Sequence, residues 1–461
     1  MKYSAILEQN CPGLSVETST SVLESHGRDW SDIPHPAPAA VVFPESVGQV
    51  QELVRAAVAS GIPLVPSGGR TGLSGGAMAF DGEVIVSFDR MRQILDFDPL
   101  SRTVTVQPGV VTAKVQEFAR SKGLYYPVSF ASEGSSQVGG NISTNAGGVR
   151  VLRYGLTRDR VTGLKVVTGR GELLDCNRGL IKNASGYDFR HLFVGSEGTL
   201  GFIVEATLQL IDPPLPSRVM LLALKDMASV MSVYQLLQSS LQLTAFEFFN
   251  ERGMFHVREA NALPAPLEQD SPLYVITEFD CPATEQENKA LECFELGLEK
   301  GWLSDGVISQ SVQQGEELWR YREGIAESVA HYAPYKNDLS VTISRVPEFL
   351  QRLQTLLEAT CPDYDVLNYG HIGDGNVHLN VLRPEGVSWQ TFESRCHEIS
   401  EKCYALTCDM DGSASAEHGI GVLKAPWLSS TRSEAEIRMM KGIKDVFDPA
   451  GILNPGKLIP G

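Results

Sequence analysis

The sequence predicts an α+β fold in two parts with a short tail. Three observations carry that reading. The chain has 461 residues, 43% of them apolar, which is too long for one ordinary domain and apolar enough for two or three cores. Its first half strings short strands, helices and hairpins around three loops of small residues. Its second half carries a hairpin running from Asn368 to Asn380. Pro213-Pro214-Leu215-Pro216 separates the halves, so the expected parts are 1–213, 214–422 and a tail, 423–461, packing back on the first.

The elements follow in order. Residues 1 to about 30 read as helical and peripheral, and Pro34 to Pro38 lead into the first domain. Val41 to Phe43 is a strand. Ser46 caps a helix, with Gln49 three residues on as a capping box. Val47, Val50, Val54 and Val58 recur at helical spacing and Gly61 stops the helix. Ile62 to Val65 is the next strand, completing a β-α-β unit. Glu83–Phe88, Gln93–Phe97 and Thr103–Gln107 are further strands, Leu164–Cys176 is a hairpin turning at Gly169–Gly171, and Phe202–Leu210 is strand-like.

The β-α-β unit delivers the chain into Pro66-Ser67-Gly68-Gly69-Arg70-Thr71-Gly72-Leu73-Ser74-Gly75-Gly76, where six of eleven residues are Gly or Pro. Such a loop lets backbone N–H groups converge on an anion, a nest for phosphate or pyrophosphate. It is neither Gly-x-Gly-x-x-Gly nor a Walker loop, which argues against a nicotinamide Rossmann site and an ATPase. Gly134 to Gly148 and Gly195 to Gly201 are two more small-residue loops. Three of them within one region suit a long ligand lying along backbone, as a dinucleotide does.

The hairpin is the second chemical signal. With Gly373-Asp374-Gly375-Asn376 as the turn, strands Val366–Ile372 and Val377–Leu382 oppose Ile372 to Val377, His371 to His378 and Tyr369 to Asn380. Opposed side chains share a face about 5 Å apart, which suits two imidazoles on one transition metal. Glu417 and His418 stand among small residues in Ser413 to Gly421 and offer a third ligand. Two His and one carboxylate leave positions open for substrate. His26, His35, His191, His256, His331 and His397 show no clustered partners and read as structural.

Charge and cysteines bound the remainder. Lys+Arg 39 against Asp+Glu 56 gives −17, and an acidic chain without basic runs argues against nucleic acid and an anionic membrane surface. No stretch approaches the ~20 apolar residues of a membrane span, and the N-terminus lacks a signal core. Eight cysteines without a Cys-x-x-Cys pair suit a reducing compartment. The expectation is a cytoplasmic protein; a homodimer is compatible with the chain.

These motifs together resemble the flavoproteins of the vanillyl-alcohol-oxidase and para-cresol-methylhydroxylase type, in the branch of D-2-hydroxyacid dehydrogenases that includes the D-2-hydroxyglutarate enzymes. Residues 38 to 461 are covered, including the C-terminal signature Phe447 to Lys457. The resemblance implies a two-part FAD-binding domain, an antiparallel-sheet substrate domain and a C-terminal helical tail. FAD would be held by Pro66, Ser67, Gly68, Gly69, Arg70, Thr71, Gly72, Leu73 and Ser74, by Pro108, Gly109 and Val110, and by Gly139, Gly140, Asn141, Thr144, Asn145, Gly147, Gly148 and Tyr154. Glu197, Gly198, Gly201, Ile203 and Asn454 complete the set. The first loop holds no His or Cys, so the FAD is expected to be non-covalent. His371, His378 and Glu417 would hold a divalent metal, zinc first, though manganese, iron or cobalt accept the same donors. Arg322, Lys336, Asn380 and His418 would bind substrate, with His418 as general base. The glutarate enzymes carry Ser or Thr four residues after the arginine; here that place is Ala326, with Ser328 nearby.

The expected reaction is oxidation of D-2-hydroxyglutarate to 2-oxoglutarate by hydride transfer to flavin N5, with electrons passed to an electron-transferring flavoprotein or quinone. D-lactate, glycolate or D-malate are the alternative substrates. A metallohydrolase would leave the Gly-rich loops unexplained, and a non-catalytic flavin carrier would leave the metal donors unexplained.

Overall fold

The structure, a computed structural model, describes residues 2–31, 33 and 35–460. Pro34, in the Pro-rich segment, lies outside them. The chain forms two compact units. The first comprises residues 1–147, 155–213 and 417–461; the second comprises 148–154 and 214–416. No helix among the described residues is long and apolar enough to cross a membrane.

In the first unit the helix expected after Ser46 spans Val47–Ser60. The Ser46 side chain accepts from Gln49 N–H, and Gly61 ends the helix in the left-handed region. Gln49 Oε1 accepts from Glu45 N–H at 2.7 Å, so the reciprocal bond lands one residue earlier than a capping box places it. The following strand is Leu64–Ser67 rather than Ile62–Val65, because Ile62 N–H still closes the helix on Ala57 O. Strands Ala40–Phe43 and Leu64–Ser67 both run parallel to Val84–Ser87, which lies between them, while Ser15–Glu17 adds an antiparallel edge. The N-terminal stretch is thus not wholly helical. Val42, Leu53, Val54, Leu64 and Val86 form the core beneath this sheet.

A five-stranded antiparallel sheet follows, with Gly201–Gln209 at its centre between Thr103–Val106 and Val161–Thr168. Val104, Val115, Ile142, Phe193 and Leu208 pack its core. Inside the second small-residue loop, Val138–Thr144 is a short helix, ended by Asn145 at φ 53°. The density of small residues there conceals the helix because glycine carries little helical preference. The tail returns to the first sheet: Leu64 N–H donates to Ile452 O and Asn454 N–H to Leu64 O, each at 2.8 Å.

The second unit is a seven-stranded antiparallel sheet. Helices Glu251–Asn261 and Val312–Glu323 cover the face that carries Val219, Leu221, Ala245, Phe249 and Ile276. Apolar residues at alternate strand positions drive that packing. The segment 148–154 joins this unit through Arg150, whose Nε and Nη2 donate to the Glu278 carboxylate at 3.2 and 3.1 Å, and through Arg153, which pairs with Asp280 at 3.2 Å.

The histidine hairpin has a different register from the expected one. Tyr369 pairs with His378 and Leu367 with Asn380, two residues from the predicted alignment. The strands are Val366–Gly370 and Asn376–Val381, so the turn is residues 371–375. Asn376 is pulled into the strand: its Nδ2 donates to Asp338 Oδ1 at 2.8 Å and to Leu339 O at 3.0 Å. Gly375 is required in the turn, since a Cβ there would lie 2.1 Å from Val341 O and φ is +87°. A slip of two residues preserves the face each side chain occupies, so His371 and His378 remain on one side.

Candidate active site

The first unit gathers the three small-residue loops. Gly195 N–H donates to Ile142 O at 3.0 Å and Glu197 N–H to Ser143 O at 2.9 Å, tying the third loop to the helix in the second. Asn454 Nδ2 donates to Gly76 O at 2.9 Å and to Glu197 O at 2.7 Å, so the tail clasps the first and third. A Cβ on Gly69 would meet Ser135 O at 2.3 Å, so only glycine lets the first loop lie against the second. Ser67 Oγ, Gln137 Oε1 and Asn454 Oδ1 are buried there without a hydrogen-bond partner. Buried polar atoms are ordinarily paired, and a cradle of closely packed backbone with unpaired polar atoms fits a long polar ligand such as FAD.

Arg70 sits in this cradle at φ 59°. Its Nη1 donates to Gly68 O at 3.0 Å and to Asp89 Oδ2 at 3.2 Å. Asp89 also receives His26 Nε2 at 3.3 Å and Gln137 Nε2 at 2.6 Å. Burial alone would raise the Asp89 pKa, but the His26 and Gln137 bonds and the Arg70 charge outweigh it and hold the carboxyl well below the usual range. Asn141, by contrast, spends its side chain on Thr112 Oγ1 at 2.6 Å. Pro108 O accepts from Gly139 N–H at 2.8 Å and Val110 O from Val138 N–H at 2.9 Å, setting the turn beside the helix. Thr144 Oγ1 donates to Gly140 O, Ile203 is buried in its strand, and Gly148 and Tyr154 belong to the second unit.

Glu417 and His418 close the same unit. Adjacent residues on an extended strand would point opposite ways, but the chain bends at 416–418. Glu417 Oε1 and His418 Nε2 therefore lie 3.5 Å apart. Ser74 Oγ donates to His418 O and Gly419 O, both at 3.0 Å, and Glu197 accepts from Ile420 and Gly421 N–H, both at 2.7 Å.

The second unit builds a buried polar cluster on one sheet face. The His371 and His378 rings have centroids 5.1 Å apart. His371 Nδ1 is 2.8 Å from Glu247 Oε1, and His378 Nδ1 is 3.6 Å from Asp338 Oδ1. Arg322, 6% exposed, points its Nη2 at Glu247 Oε2 at 2.8 Å. That contact is an ion pair without hydrogen-bond geometry, and Arg322 Nε is buried without a partner. The guanidinium also lies 4.8 Å from the Tyr369 ring centroid, a cation–π distance. Asn380 Nδ2 donates to Tyr369 Oη at 3.0 Å. Lys336, exposed, pairs across the sheet with Asn380. Ala326 is exposed and the Ser328 hydroxyl is spent on Ile325 O at 2.7 Å.

Two carboxylates here escaped the sequence. Glu247 is 1% exposed and stands in the strand Leu243–Asn250, otherwise mostly apolar; a lone acid in such a strand was the available signal. Burial would raise its pKa, but the His371 and Arg322 charges outweigh burial and hold it below the usual value. Asp338, fully buried, pairs with His378 across strand Tyr335–Ser340. Imidazoles whose second nitrogen faces a carboxylate are the usual form of metal-holding histidines, and Asp338 and His378 are among the residues whose donor atoms lie close enough to share one ion.

Family models and known proteins match most of the chain. The family model described as an FAD binding domain matches residues 38–177, and that of the C-terminal domain of FAD linked oxidases matches 214–458. A D-2-hydroxyglutarate dehydrogenase of Xanthomonas citri pv. viticola is 53% identical over 452 residues, covering 98% of this chain and 96% of that protein. One from Stutzerimonas stutzeri is 51% identical over 447 residues, covering 97% and 96%. The mitochondrial D-2-hydroxyglutarate dehydrogenase of Arabidopsis thaliana is 35% identical, covering 95% and 78%. Among solved structures, substrate-bound p-cresol methylhydroxylase gives a TM-score of 0.74 at 14% identity over 100% of this chain and 96% of that one. The 4-ethylphenol oxidase of Gulosibacter chungangensis gives 0.73 at 17% identity over 96% and 94%. The chain belongs to the FAD-linked oxidases and, within them, to the D-2-hydroxyglutarate dehydrogenase family, and its fold is that of p-cresol methylhydroxylase.

Proposed function

We propose that this FAD-linked enzyme oxidises D-2-hydroxyglutarate to 2-oxoglutarate, with a divalent metal, zinc first, held by His371, His378 and Glu417. The observation that carries the substrate choice is Arg322: a buried guanidinium with an unpartnered Nε, in the same cluster as the His371 and His378 rings. A substrate carboxylate satisfies such a donor, which leaves Lys336 for the second carboxylate of a dicarboxylate, and charge-assisted bonds of that kind contribute roughly 1.5–3 kcal/mol. The names of the bacterial relatives point the same way.

In this reading the Pro66–Gly76, Gly139–Gly148 and Gly195–Gly201 segments with Asn454 would hold FAD, which when bound would supply the hydride acceptor. A metal held by His371, His378 and Glu417 would supply positive charge that lowers the pKa of the C2 hydroxyl. His418 takes the hydroxyl proton as general base, with Glu417 3.5 Å from its Nε2. Arg322 offers a planar edge to one substrate carboxylate, Lys336 reaches the other, and Asn380 donates a neutral hydrogen bond. Tyr369 holds Asn380 in place through the 3.0 Å bond.

The electron acceptor is proposed to be an electron-transferring flavoprotein. Eight free cysteines, seven of them buried, support a reducing, cytoplasmic setting.

The test is anaerobic flavin bleaching with D-2-hydroxyglutarate, D-malate, D-lactate and glycolate at equal concentration. D-2-hydroxyglutarate should be fastest and D-malate, one methylene shorter, intermediate. Faster bleaching by D-lactate would replace the dicarboxylate assignment with the monocarboxylate one.

A further inference from the structure

We infer that Glu247 is a positioning residue that holds a metal-binding imidazole and the substrate-binding guanidinium on one carboxylate, so that metal affinity and substrate anchoring both depend on it. The inference rests on the metal and substrate roles proposed above.

Glu247 comes from the middle of strand Leu243–Asn250, between Phe246 and Phe248. Strand pairing sets Phe249 opposite Tyr369, and Glu247 and His371 each lie two residues further along the same face. An ionised carboxylate in that position is costly unless fully paired. The two oxygens divide their partners: Oε1 lies 2.8 Å from His371 Nδ1 in a hydrogen bond, and Oε2 lies 2.8 Å from Arg322 Nη2 in an ion pair without hydrogen-bond geometry. Engaging Nδ1 fixes the imidazole tautomer and assigns Nε2 to the metal, and the negative charge makes that nitrogen a better donor. Engaging one terminal nitrogen of Arg322 holds the guanidinium over Tyr369 and keeps Nε, which has no partner, in a fixed direction. An apolar residue at 247 would pack with its strand neighbours but would leave both the imidazole and the guanidinium unanchored. The carboxylate therefore serves the proposed metal and substrate groups rather than the core.

The test uses the holoenzyme and Glu247→Gln, with zinc(II) titrated in competition with a chromophoric chelator. Wild type should bind zinc, and Glu247→Gln should bind it about 10–100-fold more weakly, the range for losing such a partner. FAD content, read from visible absorbance, should be unchanged, and KM for D-2-hydroxyglutarate should rise. Excess zinc should restore part of the turnover of Glu247→Gln and none in His371→Ala. Zinc affinity equal to wild type overturns the inference. If Glu247→Gln does not fold, the comparison becomes Arg322→Met against the double variant Glu247→Met with Arg322→Met, in which no buried charge is left unpaired. The double variant should bind zinc about 10–100-fold more weakly than Arg322→Met; equal affinity overturns the inference. A wild type that takes up no zinc removes the metal assignment itself, whereas zinc-binding wild type with an unaffected variant removes only the role of Glu247.

Discussion

Arg70 and Asp89 are joined at 3.2 Å behind the first glycine-rich loop. Arg70 is not glycine yet holds φ 59°, a conformation that costs a β-carbon residue about 1 kcal/mol or more. Bonds to Gly68 O and to Asp89 keep it there. Asp89→Asn removes the charge from that anchor, and hydrogen bonds to charged groups contribute roughly 1.5–3 kcal/mol. FAD affinity should therefore fall by about tenfold or more, read by fluorescence titration of apoprotein. An unchanged Kd would show that the loop keeps its shape without Asp89.

The same residue gives a pH dependence. The folded-state pKa of Asp89 is depressed, so the folded protein gives up that proton more readily than the unfolded chain. Its stabilisation is complete above the ordinary carboxylate value of about 4 and is lost as pH falls through the depressed value. Asp365, depressed by Arg252 and His256 against the opposing effect of burial, acts in the same window. Asp89→Asn should lose stability at neutral pH and show a shallower decline below about pH 4. Thermal melts across that range check both signs.

Attachment of the flavin is tested by acid precipitation. The loop from Pro66 to Gly76 offers Arg70, Thr71 and Leu73 but neither His nor Cys. Yellow colour should pass entirely to the supernatant; colour in the pellet would require a covalent bond.

How much of this was legible is clearest in five places. The glycine loops could be read because a nest needs backbone freedom that only certain residues supply. The shared face of His371 and His378 could be read because strand side chains alternate with period two. The register could not, because Asn376 is drawn into the strand by Asp338, 38 residues earlier. Glu247 lies 124 residues from His371, and no local pattern announces that pairing. The passage of residues 148–154 into the second unit depends likewise on Arg150 and Arg153 meeting Glu278 and Asp280 more than a hundred residues later. Local spacing specifies elements and faces; long-range ion pairs decide which faces meet.

The metal role predicts that His371→Ala and Glu417→Ala abolish turnover while FAD stays bound, since the flavin loops use other residues. Chelator treatment of wild type should do the same, and added zinc should reverse it. Full activity in protein verified as metal-free by elemental analysis would remove the metal from the mechanism.

His418→Ala should slow flavin reduction by about 10²–10⁴, the usual cost of removing a general base, with metal content little changed. The bend that places Glu417 and His418 3.5 Å apart lets their side chains serve one centre. If His418→Ala loses metal and Glu417→Ala keeps it, the roles of the two neighbours are exchanged.

Substrate length is the last test, and Lys336 is the residue to change. It is exposed and pairs across the sheet with Asn380, which is 1% exposed. An exposed lysine keeps its hydration until a substrate arrives, so it costs little in the free enzyme, and its long stem gives it reach. Arg322, already buried against Glu247, suits the nearer carboxylate. A monocarboxylate such as D-lactate has nothing to offer Lys336, whereas D-2-hydroxyglutarate ends in a second carboxylate. Lys336→Met should therefore lower kcat/KM for D-2-hydroxyglutarate by about ten- to a hundredfold, the loss of one charge-assisted contact, and leave D-lactate nearly unchanged. Ala326 supplies no hydroxyl and the Ser328 hydroxyl is committed to Ile325 O, so the preference rests on the cations. Equal losses for the two substrates would place Lys336 outside the distal carboxylate site.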